Sequence, residues 1–215
     1  MPTGRWVIEA ALRKPMTDLG WAQRASGWFT GPLTPDVLGV VTVGVASEHA
    51  DTGAALATLY VGVRHELVEP IVAALCGTAD TYRDRTAVTT IGYLMPDPRW
   101  REWQVNDRTA DSAAAEMVTA FRDYGLPRLS ALAESADALI TAAREHPAYS
   151  AQPVGGCRVA VLLATVGKPD EARELMDKRV AALGNRNDAN AAHERAVAAK
   201  FTEWLRGKQH NDLGR

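Results

Sequence analysis

A chain of 215 residues can bury a substantial core, either as one large domain or as two packed halves. Apolar residues make up 47% and charged residues 23%, which excludes an intrinsically disordered chain. A formal net charge of −2 excludes bulk attraction for phosphate, and no apolar run is long enough for a membrane span, so neither nucleic acid nor a bilayer is an expected partner.

Trp6, Ile8, Leu12, Met16 and Leu19 recur at helical spacing and predict an opening helix, kinked or shortened by Pro15 and closed by Gly20. Trp21–Arg24 and Trp28–Thr30, split by Ser26-Gly27, read as a short hairpin. Val37–Ser47 and Ala54–His65 are rich in β-branched residues and predict the central antiparallel pair of a sheet. Leu67–Leu75 reads as a short helix with Pro70 in its first turn and Gly77 at its end. Ala87–Met95 returns to a strand pattern, and Arg101–Val105 can add another short strand after the turn at Pro96–Pro98.

From about residue 111 the period becomes helical. Asp111 or Ser112 can cap a helix with the stripe Ala114, Met117, Val118 and Phe121, ended by Gly125 and Pro127. A further helix runs from Ser135 to about Glu145, before a loop around Pro147–Gly156. Apolar Val159–Val166, a turn at Gly167–Asp170, and the stripe Ala172, Leu175, Met176, Val180 and Leu183 follow. A last helix carries Val197, Phe201, Trp204 and Leu205, with a tail from Lys208 expected to fray. The expected fold is therefore α+β. Residues 1–110 form a small antiparallel sheet with flanking helices, residues 111–207 an all-helical half packed with it, and residues 208–215 the tail.

No pattern for catalysis stands out, and no catalytic residue, cofactor or metal is expected. Glu48, His49 and Asp51 lie close together, with His65-Glu66 further along. Paired around residue 51, however, the two strands set His65 opposite Leu38, roughly 35 Å from His49. His146, His193 and His210 occur singly, outside any HExxH pattern. GxSxG, GxGxxG and GxxxxGK[ST] are missing, and Gly155-Gly156 reads as a loop-to-helix junction. Cys76 and Cys157 are expected as free thiols in a reducing compartment. Cys76 lies near a helix C-terminus, which disfavours the thiolate, whereas Cys157 lies near a helix N-terminus beside Arg158, which would favour it. The opening segment lacks a secretory pattern, so a cytoplasmic location is expected.

Arg99-Trp100-Arg101-Glu102-Trp103 interleaves basic and aromatic side chains, with Tyr82, Arg83 and Arg85 upstream. Such a segment can form a stacking platform for nucleic acid, but Asp97, Glu102 and Asp107 dilute its charge, and Trp100 with Trp103 can equally cover a sheet edge. Gly167–Ala172 matches the inter-helix turn of tetratricopeptide-type repeats in a single copy, which is too few to stack.

Residues 5–135 resemble the bacterial DUF4304 family of small α+β proteins. The resemblance is carried by the leading helix, Gly20-Trp21, Gly27-Trp28-Phe29, the central strand pair, Arg85–Leu94, the Trp100/Trp103 segment, and a helix ending in Tyr124-Gly125-Leu126-Pro127. It implies a fold and no catalytic residues, and it leaves the helical C-terminal half unaccounted for. With no active-site pattern, the leading expectation is a non-enzymatic module that binds a protein partner, such as an immunity or toxin-neutralising protein. Its contact surface would draw on Arg83, Arg85, Trp100 and Trp103, because Trp and Arg dominate interface energetics. The alternatives are an enzyme or small-ligand protein whose polar groups converge only in three dimensions, and a weak nucleic-acid binder through the Arg-Trp segment.

Overall fold

The computed structural model of the protein describes residues 4–49, 54–145 and 155–213. Ile8, Leu12 and Met16 run along one side of α1 (Gly4–Asp18) and are fully buried, whereas Trp6 lies off that stripe and is 65% exposed. Pro15 does not shorten the helix. It removes one N–H in the last turn, and the chain beyond still closes onto it, Leu19 N donating to Pro15 O at 3.3 Å. Gly20 then turns the chain at φ +83°.

β1 (Ala22–Ala25) and β2 (Trp28–Thr34) form the expected hairpin. β3 (Val37–His49) and β4 (Ala54–His65) form the long central pair. Val37 faces His65 and Leu38 faces Arg64, one residue from the expected register, so His49 and His65 stand at opposite ends of the pair. Asp51 lies outside the described residues, as do His146 and most of the Pro147–Gly156 loop. The sheet runs in the order β1-β2-β3-β4-β5, all antiparallel. β5 (Ala87–Thr90) and β6 (Trp103–Val105) share one edge of β4, against Tyr60–Val63 and Ala55–Ala57 respectively.

The strand expected over Ala87–Met95 stops at Thr90 and becomes a 3-10 turn, Ile91–Leu94. Close packing sets that limit, since Arg99 N donates to Gly92 O and a Cβ on Gly92 would collide with the Arg99 carbonyl. The second strand is likewise shorter than expected, beginning at Trp103.

Alternation along the strands makes two unlike faces. Phe29, Val41, Val43, Leu59, Val61 and Val63 point to one side, under α1, α3 (Ala110–Ala120) and α4 (Leu126–Ala133), where Trp21 lies on Gly31 and Gly39 and meets Phe121 edge-on at 4.9 Å. Gly125 and Pro127 do not end α3. The helix widens into a π turn, Phe121–Gly125, with Leu126 N donating to Phe121 O, and continues as α4. Pro127, which has no N–H to donate, stands directly after this wider turn. Gly125 is a matter of space, since a Cβ there would stand 2.7 Å from the Phe121 ring.

α2 (Glu69–Cys76) carries Pro70 in its first turn and stops at Gly77, φ +69°. The helical half continues through α5 (Ala136–Glu145), α6 (Gly155–Thr165), α7 (Pro169–Leu183) and α8 (Ala189–Leu213). α8 carries on to Leu213 rather than fraying at Lys208. A nucleated helix adds residues at little cost, and no proline interrupts it. The two halves join where α3 packs on α1 and α6 on α2. Among the described residues no helix is long and apolar enough to cross a membrane.

Candidate functional site

The second face of the sheet is chemically different. The register places Trp28, Thr42, Tyr60 and Thr90 in one row across β2, β3, β4 and β5, with Thr30, Val40, Gly62 and Val88 in the next and Leu38 and Arg64 beyond. Arg64, only 4% exposed, anchors the segment between α2 and β5 to this face. Its Nη1 donates to Thr81 O at 2.6 Å, its Nη2 to Asp80 Oδ1 and Oδ2 at 2.7 and 2.9 Å, and its Nε to Glu66 at 3.0 Å. These partners raise the Arg64 pKa in spite of its burial. Asp84 closes the turn locally by accepting from Thr81 N and Oγ1, both at 2.9 Å.

The anchored segment carries its side chains onto Trp28. Tyr82 meets the indole edge-on at 6.2 Å, and the guanidinium carbons of Arg83 and Arg85 lie 5.5 and 5.4 Å from the ring centre. Arg83 is exposed and reaches Tyr82 OH at 3.3 Å. Arg85 is half-buried, and its Nε and Nη1 are sealed from solvent with no acceptor among the described residues. Burial, and then the nearby charge of Arg158, push its pKa down. Thr90 Oγ1, at the end of the Trp28 row, is likewise buried without a partner.

Arg158 belongs to a different arrangement. Its Nε donates to both carboxylate oxygens of Glu69 at 3.0 Å, and Thr86 Oγ1 donates to Glu69 Oε1 at 2.8 Å. Both charged side chains are buried, and they join α6 to α2 and to Thr86, the residue before β5. Burial raises the Glu69 carboxyl above its usual range, with Arg158 and Thr86 offsetting part of that. A second carboxylate, Asp84, lies 3.9 Å from Arg158.

Of the four contact residues expected from sequence, the structure brings Arg83 and Arg85 together and separates the two tryptophans. Trp100 is 47% exposed and packs edge-on against Tyr60 at 6.3 Å, within the same row as Trp28. Trp103 is not a surface residue. It is 7% exposed in the main core, and its Nε1 donates to Glu116 at 3.0 Å, because β6 alternation turns positions 103 and 105 inward. Trp28, Tyr60, Thr90 and Arg64 were not singled out from sequence. Their signal was the polar side of two apolar strands, at Trp28 and Thr30 and at Thr58, Tyr60 and Arg64.

Other candidates weaken in three dimensions. Burial pushes the Cys157 thiol up to about 12, overriding the helix start and Arg158, whose side chain is committed to Glu69. Burial also raises Cys76 and lowers His65. Cys157 lines a cavity of about 240 Å³ with Arg179, His193 and Glu194, but there Arg179 and Glu194 are paired at 2.8 Å. Among the described residues no three His, Cys, Asp or Glu side chains are grouped to hold a metal ion. No family model, curated protein or solved structure matches this chain.

Proposed function

We propose that this chain is a non-enzymatic binding module that recognises another protein through the sheet face centred on Trp28, Arg83 and Arg85, with Tyr60 and Trp100 at its margin. One observation carries the reading. Arg64 and Arg158 beside the site are matched by carboxylates, whereas the Arg85 guanidinium lies against an aromatic ring with two sealed nitrogens and no acceptor among the described residues. Arginine and tryptophan held on a rigid strand framework are the side chains that dominate binding energy at protein interfaces. An immunity or toxin-neutralising protein is the form this reading takes by analogy with other small α+β proteins, and the resemblance of residues 5–135 to the DUF4304 family is part of the same proposal. Nucleic acid fits the face poorly, because Glu66, Asp80 and Asp84 lie around the arginines and would repel a polyanion.

The test is affinity capture from a lysate of the native host, with the wild type and a Trp28→Ala/Arg83→Ala variant as parallel baits. The reading expects a stoichiometric protein that the wild type retains and the variant loses while melting within a few degrees of it. Retention of the same proteins by both baits, or of none by either, refutes it.

A further inference from the structure

We infer that the partner presents an acidic segment to this face, with two or more carboxylates that engage Arg24 and Arg83 beside Trp28. The inference deepens the binding-module reading and rests on it. The carboxylates that come with the anchored segment already have partners. Glu66 and Asp80 are paired with Arg64, Glu69 with Arg158, and Asp84 accepts from Thr81 and stands 3.9 Å from Arg158. The arginines around Trp28 have no such match. Arg24 is exposed, and its Nε donates to a neutral hydroxyl, Thr30 Oγ1, at 2.8 Å. Arg83 is exposed, lies 5.5 and 5.6 Å from the ring centres of Trp28 and Tyr82, and reaches Tyr82 OH through Nε at 3.3 Å. Among the described residues neither is paired with a carboxylate. Arg85 lies against the same indole with Nε and Nη1 sealed, so it adds positive charge beneath the patch without supplying the contact.

Both exposed guanidiniums are held in place before a partner arrives, Arg24 by Thr30 and Arg83 by two aromatic rings, which reduces the ordering that binding must bring about. A planar carboxylate matches the edge of a guanidinium with two oxygens. Thr30 lies two residues beyond Trp28 on β2, so the two cations stand on the order of 10 Å apart. A single small anion does not span that distance, whereas carboxylates two or four residues apart on an extended chain, roughly 7 or 14 Å, address both. Trp28 and Tyr82 beside them cover the aliphatic stems of such side chains. The uneven charge of the face selects a polypeptide. Arg24 on β1 and Arg64 on β4 are three strands apart, roughly 14 Å, so Glu66 and Asp80 lie more than a screening length from the Arg24 side at physiological salt. A protein segment confines its carboxylates to the arginine side and sets neutral residues over the acidic side. A nucleic-acid strand carries a charge at every phosphate and meets Glu66 and Asp80 as it crosses the face.

The test titrates the 15N-labelled protein, following the Trp28 indole and the Arg24 and Arg83 Nε–Hε resonances, with three probes at matched ionic strength. These are a blocked Glu-Ala-Glu-Ala-Glu peptide, the same peptide with Gln for Glu, and a thymidylate hexamer. The expected result is a saturable shift with the Glu peptide that weakens several-fold as salt is raised, and binding of the Gln peptide weaker by roughly tenfold or more. Arg24→Gln and Arg83→Gln each weaken the Glu peptide by roughly threefold to tenfold and leave the melting temperature unchanged, because both side chains are exposed. Arg206→Gln, an exposed site on α8, leaves binding as it is. No saturable response to the Glu peptide, or a response that Arg24→Gln and Arg83→Gln do not alter, overturns the inference. Thymidylate binding as tight as the Glu peptide or tighter assigns the face to nucleic acid and overturns it too. A lysate protein that the Trp28→Ala/Arg83→Ala bait loses, but whose capture is indifferent to salt and to Arg24→Gln, leaves the binding-module reading standing and overturns the acidic partner. Peptide titration combined with a failed lysate capture overturns the module reading while the carboxylate chemistry of the face stands.

Discussion

Arg64→Met asks whether one buried guanidinium presents the whole binding face. The variant keeps the length and much of the volume of the side chain while deleting every donor that holds the segment from Asp80 to Arg85 against the sheet. A buried ion pair broken from one side costs about 3–5 kcal/mol when the abandoned charge stays buried. Here the abandoned carboxylates are Asp80 and Glu66, 38% and 44% exposed, so water recovers them and the Coulomb part is largely screened. What remains is the charge-assisted bond to Thr81 O at 2.6 Å and the ordering of the turn, together about 2 kcal/mol. For a chain of this size that lowers the melting temperature by roughly 4–8 °C. Hydrogen exchange separates this local effect from general weakening. The Asp84 amide, which donates to Thr81 O at 3.0 Å, is expected to exchange faster in the variant, while amides between β3 and β4 keep their relative order. The Trp28 indole resonance moves as Tyr82, Arg83 and Arg85 leave its ring. Unchanged stability together with unchanged exchange at Asp84 would refute the anchoring role. Uniform acceleration across the sheet would show that Arg64 supports the core rather than the face.

The two tryptophans expected to act together separate by thermal denaturation. Trp103→Ala destabilises by about 3–5 kcal/mol, as for a core aromatic, while Trp100→Ala loses about 0.5–1.5 kcal/mol through its contact with Tyr60. His65 makes stability depend on mild acid. Burial lowers its pKa below 6.5 against the pull of Asp36 and Glu66, so the unfolded chain takes up the proton first. The stability it contributes is present above pH 6.5 and is lost as the pH falls towards the lowered value. The fall in urea midpoint between about pH 7 and pH 5 is therefore smaller in His65→Gln than in the wild type, and equal falls would contradict this. Cys157, with its pKa pushed to about 12, stays a thiol at neutral and mildly alkaline pH, and iodoacetamide is expected to alkylate it only after denaturation. Labelling of Cys157 in the native protein at pH 8 would refute the burial that sets that value.

Local chemistry decided most of the fold. β-branched runs at Val37–Ser47 and Ala54–His65 could only be strands, and with a short connection they had to pair with each other. Ile8, Leu12 and Met16 fixed the buried side of α1, and Gly77 and Gly167 adopt the positive φ that their neighbours in sequence require at a helix end and a turn. Where local rules misled, a contact from elsewhere in the chain had intervened. Gly125 and Pro127 together carry the signature of a helix stop, yet Gly125 serves the Phe121 ring and the π turn carries the helix through. The site was legible only in pieces. Arg83 and Arg85 announced themselves as charge near aromatics, but Trp28 lies more than fifty residues before them and is brought to them by strand register and by the Arg64 anchor. Sequence alone offered Arg85 as a contact residue and Arg158 only as the neighbour of Cys157, with no carboxylate assigned to either. Which of them has a buried carboxylate and which has none depends on distances between residues far apart in the chain, and so tertiary structure decided it.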